Sequence, residues 1–444
     1  LSTPHLFRRG RTPVCAARPS RSPAGAARLI LALATSLLAC QLPAYQLLAS
    51  PATAAPPSAQ SALAGRLARA LAHAGSGSGA YVYDVSTGAP LFAERASVAR
   101  PPASVEKLYT ATTALELMGP QATLSTTVLG AGQLAAGGRW VGDLYLHGGG
   151  DPTFGTPLFV GLHYGGVGAT VTRLALELKR AGIRSVSGGV DGDESYFDSL
   201  RGDPYSGFGV DPELAGELSA LEFDRGQTGS FHGAHAPAQY AAYELRGAMR
   251  AQGIAVHGGR AASAPAGASV LAAVQSPTLS RLLALTLPPS DNYFAETLLK
   301  DLGARYGSGG TTVAGAAVVR QALARFHIHP YLIDGSGLSH SDRTTPIEVV
   351  AVLATLAHSP LGTTLRKDLA IAGRSGTLSE RMRGTTASGR CQAKTGTLIG
   401  VSNLAGYCQS ASGDVLAFAF FNDGIETERA HSIQDSMAIT LARY

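Results

Sequence analysis

"PPASVEKLYTATTALELMGP", residues 101–120, carries a serine and a lysine three positions apart, Ser104 and Lys107. Pro101 and Pro102 stand ahead of a helical pattern. Apolar residues recur at Val105, Leu108, Leu115 and Met118, and Gly119-Pro120 ends it. The spacing predicts a helix that places both polar side chains on one face of its first turns. On an arbitrary helix such a face is simply solvated. Here the chain holds only five lysines (Lys107, Lys179, Lys300, Lys367, Lys394), and none but Lys107 follows a serine at this distance. A serine hydroxyl needs a base near neutral pH, and a lysine serves when burial and a neighbouring cation pull its pKa down.

Two further pieces of that chemistry lie downstream. Ser290-Asp291-Asn292 falls between two helical stretches, and Lys394-Thr395-Gly396-Thr397 falls in a predicted strand. Each triplet alone is weak, since Ser-Asp-Asn is most often a loop or a helix cap. The ordered set is the signature shared by class A β-lactamases and penicillin-binding proteins. It assigns the nucleophile to Ser104 and the base to Lys107. Lys394 is the nearby cation and holds a substrate carboxylate. Ser290 passes a proton toward the leaving amine, and Asn292 holds Lys107 and a substrate amide. The strand of Thr395, Gly396 and Thr397 pairs with an extended peptide, and the amides of Thr397 and Ser104 form the oxyanion hole.

Over most of residues 58–444 the sequence resembles the low-molecular-mass class C penicillin-binding proteins, the type-4-like D-alanyl-D-alanine carboxypeptidase/endopeptidase family. The likeness includes "LHGGGDPTF" (146–154), "VSGGVDGDESYFD" (186–198), "SDNYFAETLLKDLG" (290–303), "DGSGLS" (334–339) and "GTLSERMRGTTASGRCQAKTGTLIGVSNLAGY" (376–407). The resemblance implies cleavage of the terminal D-Ala-D-Ala bond of peptidoglycan stem peptides, or of cross-bridges, through an acyl-enzyme at Ser104. It also implies acylation of that serine by β-lactam antibiotics, with no cofactor. The sequence departs from the family in two places. Only 186 residues separate Ser104 from Ser290, so the further β-rich subdomain of many relatives is lacking. His340 follows "DGSGLS" where relatives often carry arginine.

Among 444 residues, hydrophobic content of 45% with 15% charged is that of a globular chain. The formal charge of +5 belongs to the leader. Residues 1–55 carry Arg8, Arg9, Arg11, Arg18, Arg21 and Arg28 and no acid, and removing these six from 36 basic residues leaves 30 against 31 acidic. A net of −1 gives the body no nucleic-acid footprint. The arginines, the apolar run 29–42 and Ala52-Thr53-Ala54 read as an export signal, cleaved or retained as an anchor. Export places the protein in the periplasm, the cell wall or the extracellular space.

Strand hairpin first, helices in the middle, strands and a helix last: this order predicts an α/β (α+β) fold with a mainly antiparallel sheet covered by helices. Residues 56–119 and 270–444 form the transpeptidase-like domain, and the glycine-rich segment 120–269, with short strands, is a smaller α/β domain inserted into it. "HIHP" (327–330) and "FHGAH" (231–235) lack metal-ligand partners at useful spacing and read as loops; no metal is expected. Glu296 reads as structural, and Tyr196 and Asp198 as a turn or as part of a pocket for a side-chain amine. Cys15 and Cys40 lie in the leader. "CQAKTGTL" and "VSNLAGYC" fold into a hairpin about Ile399-Gly400 that sets Cys391 opposite Cys408, as a disulfide or as two buried thiols.

The nearest rival is a class A β-lactamase, or an esterase on the same fold. A β-lactamase calls for a Glu-x-x-Leu-Asn element after Ser-Asp-Asn. Residues 293–393 hold Glu296, Glu348 and Glu380 but no such element. A catalytically idle wall-binding module is opposed by the intact Ser104, Lys107, Ser290, Asn292 and Lys394.

Overall fold

The computed structural model describes residues 58–227 and 236–444. The leader, with its export signal and two cysteines, and the "FHGAH" stretch lie outside the described residues. The chain opens with α1 (Ala59–Ala72), capped by Ser58, whose hydroxyl accepts from the amide of Ser61. Leu63, Leu67 and Leu71 recur at helical spacing and bury one face of it. A hairpin follows, β1 (Gly79–Asp84) and β2 (Ala89–Glu94). A 3-10 turn over Ala103–Glu106 leads into α2 (Lys107–Met118). From Lys107 to Leu115 every residue of α2 is buried, Thr110, Thr112 and Thr113 included. The helix is packed on all sides, more fully than its single apolar stripe predicts.

The middle of the chain builds a second sheet. β3 (Ser125–Ala135) and β4 (Arg139–His147) are an 11- and 9-residue hairpin, longer than the glycine-rich texture suggests. Two glycines serve close approaches there. A Cβ at Gly130 would lie 2.4 Å from the ring of Trp140, and one at Gly132 2.1 Å from the carbonyl of Val141. After α3 (Pro157–Tyr164) and α4 (Val171–Arg180) come β5 (Ser185–Val186), β6 (Val190–Asp193), α5 (Pro237–Ala251) and β7 (Ser269–Gln275). β7 pairs with β3, so this sheet runs past residue 269 to Gln275.

The chain continues through α6 (Leu279–Thr286), α7 (Asn292–Tyr306), α8 (Thr312–Ala324), α9 (Pro346–Ala357) and α10 (Pro360–Lys367). It then enters β8 (Ala370–Ile371), β9 (Cys391–Leu398), β10 (Val401–Gln409) and β11 (Val415–Asp423), and ends in α11 (Thr427–Ala442). The first sheet has the order β2-β1-β11-β10-β9-β8 and is antiparallel throughout, so the two ends of the chain share it. Both of its faces are covered. In β11, Ala417, Ala419 and Phe421 join the core that contains α2 and α9. Leu416, Phe418 and Phe420 join the core under α1 and α11. Period-2 alternation splits one apolar strand between two cores.

The β9–β10 register places Cys391 opposite Cys408 with Cα atoms 4.0 Å apart, and the two form a disulfide. Both cysteines are fully buried. The bridge closes a short loop that includes the whole of β9. Cys391→Ala with Cys408→Ala should lower stability by about 3 kcal/mol in a denaturant titration. An unchanged midpoint, or two free thiols on the denatured, unreduced protein, would contradict this.

Candidate active site

The turn that carries Ser104 is crowded from the start. Ala103 takes φ 48°, a left-handed conformation, and the turn rotates Ser104 to half-exposure while Lys107 enters the core. Lys107 Nζ lies 2.8 Å from Ser104 Oγ. It donates to Asn292 Oδ1 at 2.7 Å and to the carbonyl oxygen of Ser336 at 2.6 Å. A neutral amine has two N–H groups and one lone pair. Two fixed acceptors take the N–H groups, and the lone pair then faces the serine hydroxyl.

Asn292 is the first residue of α7. Asp291 caps that helix by accepting from the amide of Phe294 at 3.0 Å, and it pairs with Arg225 at 2.7 Å. Arg225 in turn lies 4.7 Å from the centre of the Tyr293 ring. The side-chain amide of Asn292 is fixed at both ends, since Nδ2 donates to the carbonyl of Glu213 at 3.0 Å. Ser290, one residue ahead of the cap, takes φ 66° and is half-buried.

Lys394 is fully buried on β9 and donates to the carbonyl of Thr395 at 2.7 Å. Thr395 Oγ1 bonds Thr377 Oγ1 at 2.8 Å, and the Thr377 amide donates to the carbonyl of Pro288 at 3.0 Å. That chain of contacts ties the Lys-Thr-Gly strand to the turn carrying Ser290. Gly396 lets β9 pass under the nucleophile turn. A Cβ there would stand 2.7 Å from the Pro102 carbonyl and 3.0 Å from the Val105 amide. β8 pairs only with Gln392 and Ala393, so from Lys394 to Leu398 one edge of β9 is left unpaired by the sheet. Thr397, on that edge, is exposed.

The electrostatics follow from burial. Removal from water lowers the Lys107 ammonium to about 8, against the pull of Asp334, Glu296, Asp291 and Glu106. At pH 7 about a tenth of the molecules then hold Lys107 as the amine. Lys394 is pushed well below the ordinary lysine range, first by burial and then by Lys107. Burial, rather than the charge of Lys394, is thus the main cause at Lys107, and repulsion between the pair falls on Lys394. Glu106, Asp334 and Asp342 are all buried. Among the described residues they are the one group of carboxylates close enough to share a cation. Burial first, then Asp342 and Asp334, holds Glu106 well above the carboxylate range, and burial and Asp334 lift Asp342 to about 9. As a neutral acid at pH 7 Asp342 is a poor ligand for a metal, and the raised carboxyl of Glu106 works in the same direction.

Of the residues singled out from sequence, Ser104, Lys107 and Asn292 meet at hydrogen-bond distance, and Thr395 touches the segment beside Ser290. Asp198 pairs with the buried Lys300 at 2.7 Å. Sequence reasoning missed Ser336, Glu213 and Thr377. The first two act through backbone carbonyls, which no side-chain pattern reveals. The "DGSGLS" run was the available signal for Ser336.

A family model described as the D-Ala-D-Ala carboxypeptidase 3 (S13) family matches residues 59–207 and 221–444. A D-alanyl-D-alanine carboxypeptidase of Actinomadura sp. (strain R39) is 31% identical, covering 83% of this chain and 82% of the relative. A carboxypeptidase of Mycobacterium tuberculosis is 32% identical over 77% of this chain and 75% of its own. Penicillin binding protein 4 of Haemophilus influenzae shares the fold, with a TM-score of 0.70 at 23% identity, over 85% of this chain and 99% of that one.

Asp342 generates a prediction about pH. The folded chain keeps its proton up to about 9, whereas the unfolded chain loses it near the ordinary aspartate value. Between those limits the folded state binds the extra proton, so stability falls as pH rises. Asp342→Asn cannot ionise. Its melting temperature relative to wild type should therefore climb between about pH 5 and about pH 8. A difference that stays constant over that range would refute the assignment.

Proposed function

Because the chain belongs to the D-Ala-D-Ala carboxypeptidase 3 (S13) family and is a serine peptidase of that kind, we propose that Ser104 attacks the terminal D-Ala-D-Ala bond of peptidoglycan stem peptides. The same site accepts cross-bridge peptides and β-lactam antibiotics. The observation that carries the reading is the Lys107 amine set between Ser104 Oγ, Asn292 Oδ1 and the Ser336 carbonyl.

In the neutral form Lys107 takes the Ser104 proton as Oγ bonds to the substrate carbonyl carbon. Charge builds on the carbonyl oxygen, toward the amides of Ser104 and Thr397. The new ammonium of Lys107 returns a proton to the departing D-alanine nitrogen through Ser290. Water, deprotonated by Lys107, then releases the acyl group and restores Ser104. The substrate lies along β9 as an added strand, with Thr395, Gly396 and Thr397 beside it. Its terminal carboxylate meets Lys394 and supplies the negative charge that favours the ammonium form there, offsetting the cost of burial. The leader supports export, so we place the reaction outside the cytoplasm, with the protein released or anchored through its N-terminal segment.

Penicillin treatment followed by peptide mass spectrometry should find one adduct, on the peptide containing Ser104, and none in Ser104→Ala. An adduct elsewhere would refute the assignment. Release of the acyl group should be slow, because no Glu-x-x-Leu-Asn element supplies a dedicated deacylation base; turnover within seconds would restore the β-lactamase reading. Lys394→Ala should lose about a hundredfold or more in acylation rate. Lys179→Ala, on an exposed helix face, should match wild type. Equal losses in the two would remove Lys394 from the mechanism.

A further inference from the structure

The 334–339 loop is tied down from three sides. Glu296 Oε1 accepts two successive backbone amides, Gly335 at 2.8 Å and Ser336 at 2.7 Å. Thr110 Oγ1, three residues along α2 from Lys107, donates to the carbonyl of Gly335 at 3.0 Å. Asp334 closes the loop on itself, accepting the amides of Gly337 and Ser339, both at 2.7 Å. Gly337 lies so close to the nucleophile turn that a Cβ would stand 2.0 Å from the Ala103 carbonyl and 3.0 Å from the Ser104 amide. The carbonyl of Ser336 is the third contact of Lys107.

Asn292 and Glu296 are four residues apart on α7 and so share one helix face. One touches Lys107 directly. The other accepts the amide of Ser336, the residue whose carbonyl touches Lys107. We propose that Glu296 is a positioning residue for Lys107. It acts through the Ser336 carbonyl, so that one face of α7 sets both fixed acceptors of the catalytic amine. This rests on Lys107 acting as the base. Glu296 works here by reach: a single oxygen must span to two adjacent amides. Its charge is incidental, and burial, with Asp334, raises its carboxyl to about 8. The charged and titratable groups facing it are Asp334 and Asp203 from the loops, Lys107 and Glu106 from the nucleophile turn, and Lys300 from its own helix.

The test separates length from charge. Acylation by a fluorescent penicillin is measured across pH, with the non-covalent affinity and the acylation rate resolved separately. Glu296→Ala and Glu296→Asp, the latter one methylene short, should lower the acylation rate by about ten- to a hundredfold with affinity unchanged. Glu296→Gln keeps the length and an accepting oxygen, and should recover most of that loss with no shift in the acid-limb midpoint. If charge were the cause, the order would invert: Asp would retain the rate, and Gln would move the midpoint to lower pH by removing a negative charge near Lys107. That order overturns the proposal.

Should the position 296 variants fail to fold, Thr110→Val loosens the same loop from α2. It should lower the acylation rate about threefold with affinity unchanged, and no change would count against the proposal. A crystal structure of Glu296→Asp that kept the Lys107–Ser336 contact would also overturn it. Absence of any acylation in wild type would instead refute the peptidase reading itself.

Discussion

A lysine nitrogen removed from water is the constraint around which this site is arranged. Burying an ammonium costs several kcal/mol unless hydrogen bonds replace the lost hydration. Lys107 receives those bonds from segments 185 and 229 residues away in the chain, at Asn292 and Ser336. Neither acceptor is a carboxylate. A carboxylate in direct contact would fix the ammonium form, whereas neutral oxygens favour it far less. The acids of the site stand one layer back. Glu296 and Asp334 hold backbone amides, and burial raises the carboxyls of Glu106 and Asp342.

Close backbone approach is the second consequence. Three segments converge on Ser104: the 3-10 turn itself, β9 and the 334–339 loop. Where they touch, the residues are small. A Cβ on Gly396 or Gly337 would collide with backbone atoms of residues 102–105. Ala103, directly beside Ser104, and Ser290, two residues ahead of Asn292, sit in left-handed backbone conformations. Each such residue costs on the order of 1–3 kcal/mol, and it persists only where surrounding packing over-determines it. The buried stretch Lys107–Leu115 of α2 on one side, and the disulfide-closed β9–β10 hairpin on the other, supply that packing.

What the sequence disclosed and withheld follows the same division. The three motifs were legible because they consist of side chains. So was the hairpin register, because pairing symmetric about a two-residue turn leaves no freedom in what faces Cys391. The second sheet was harder to read, since Gly130, Gly132 and Gly142 interrupt β3 and β4 and disguise a long hairpin as short strands. The short helices α3 and α10 lack a clear apolar stripe of sufficient length to announce themselves. The third contact of Lys107 was illegible for a deeper reason: a carbonyl oxygen belongs to every residue, and only the fold selects one.

The two lysines also divide their work by environment rather than by type. Both are wholly buried, yet Lys107 has two fixed neutral acceptors and a serine, while Lys394 donates to the carbonyl of the next residue on its own strand. Two ammonium groups cannot comfortably share a dry site. In the empty enzyme the proton is therefore better held at Lys107, and Lys394 is the side chain left short of a partner. In the proposed reaction a substrate carboxylate would reverse that balance by supplying Lys394 with a counter-charge. The proton demanded by Lys394⁺ and the repulsion it then exerts both favour Lys107 as the amine. In the reaction proposed above, an anionic peptide end bound at Lys394 would in this way raise the share of Lys107 held as the amine, and a peptide without a carboxylate there would leave that share at about a tenth at pH 7.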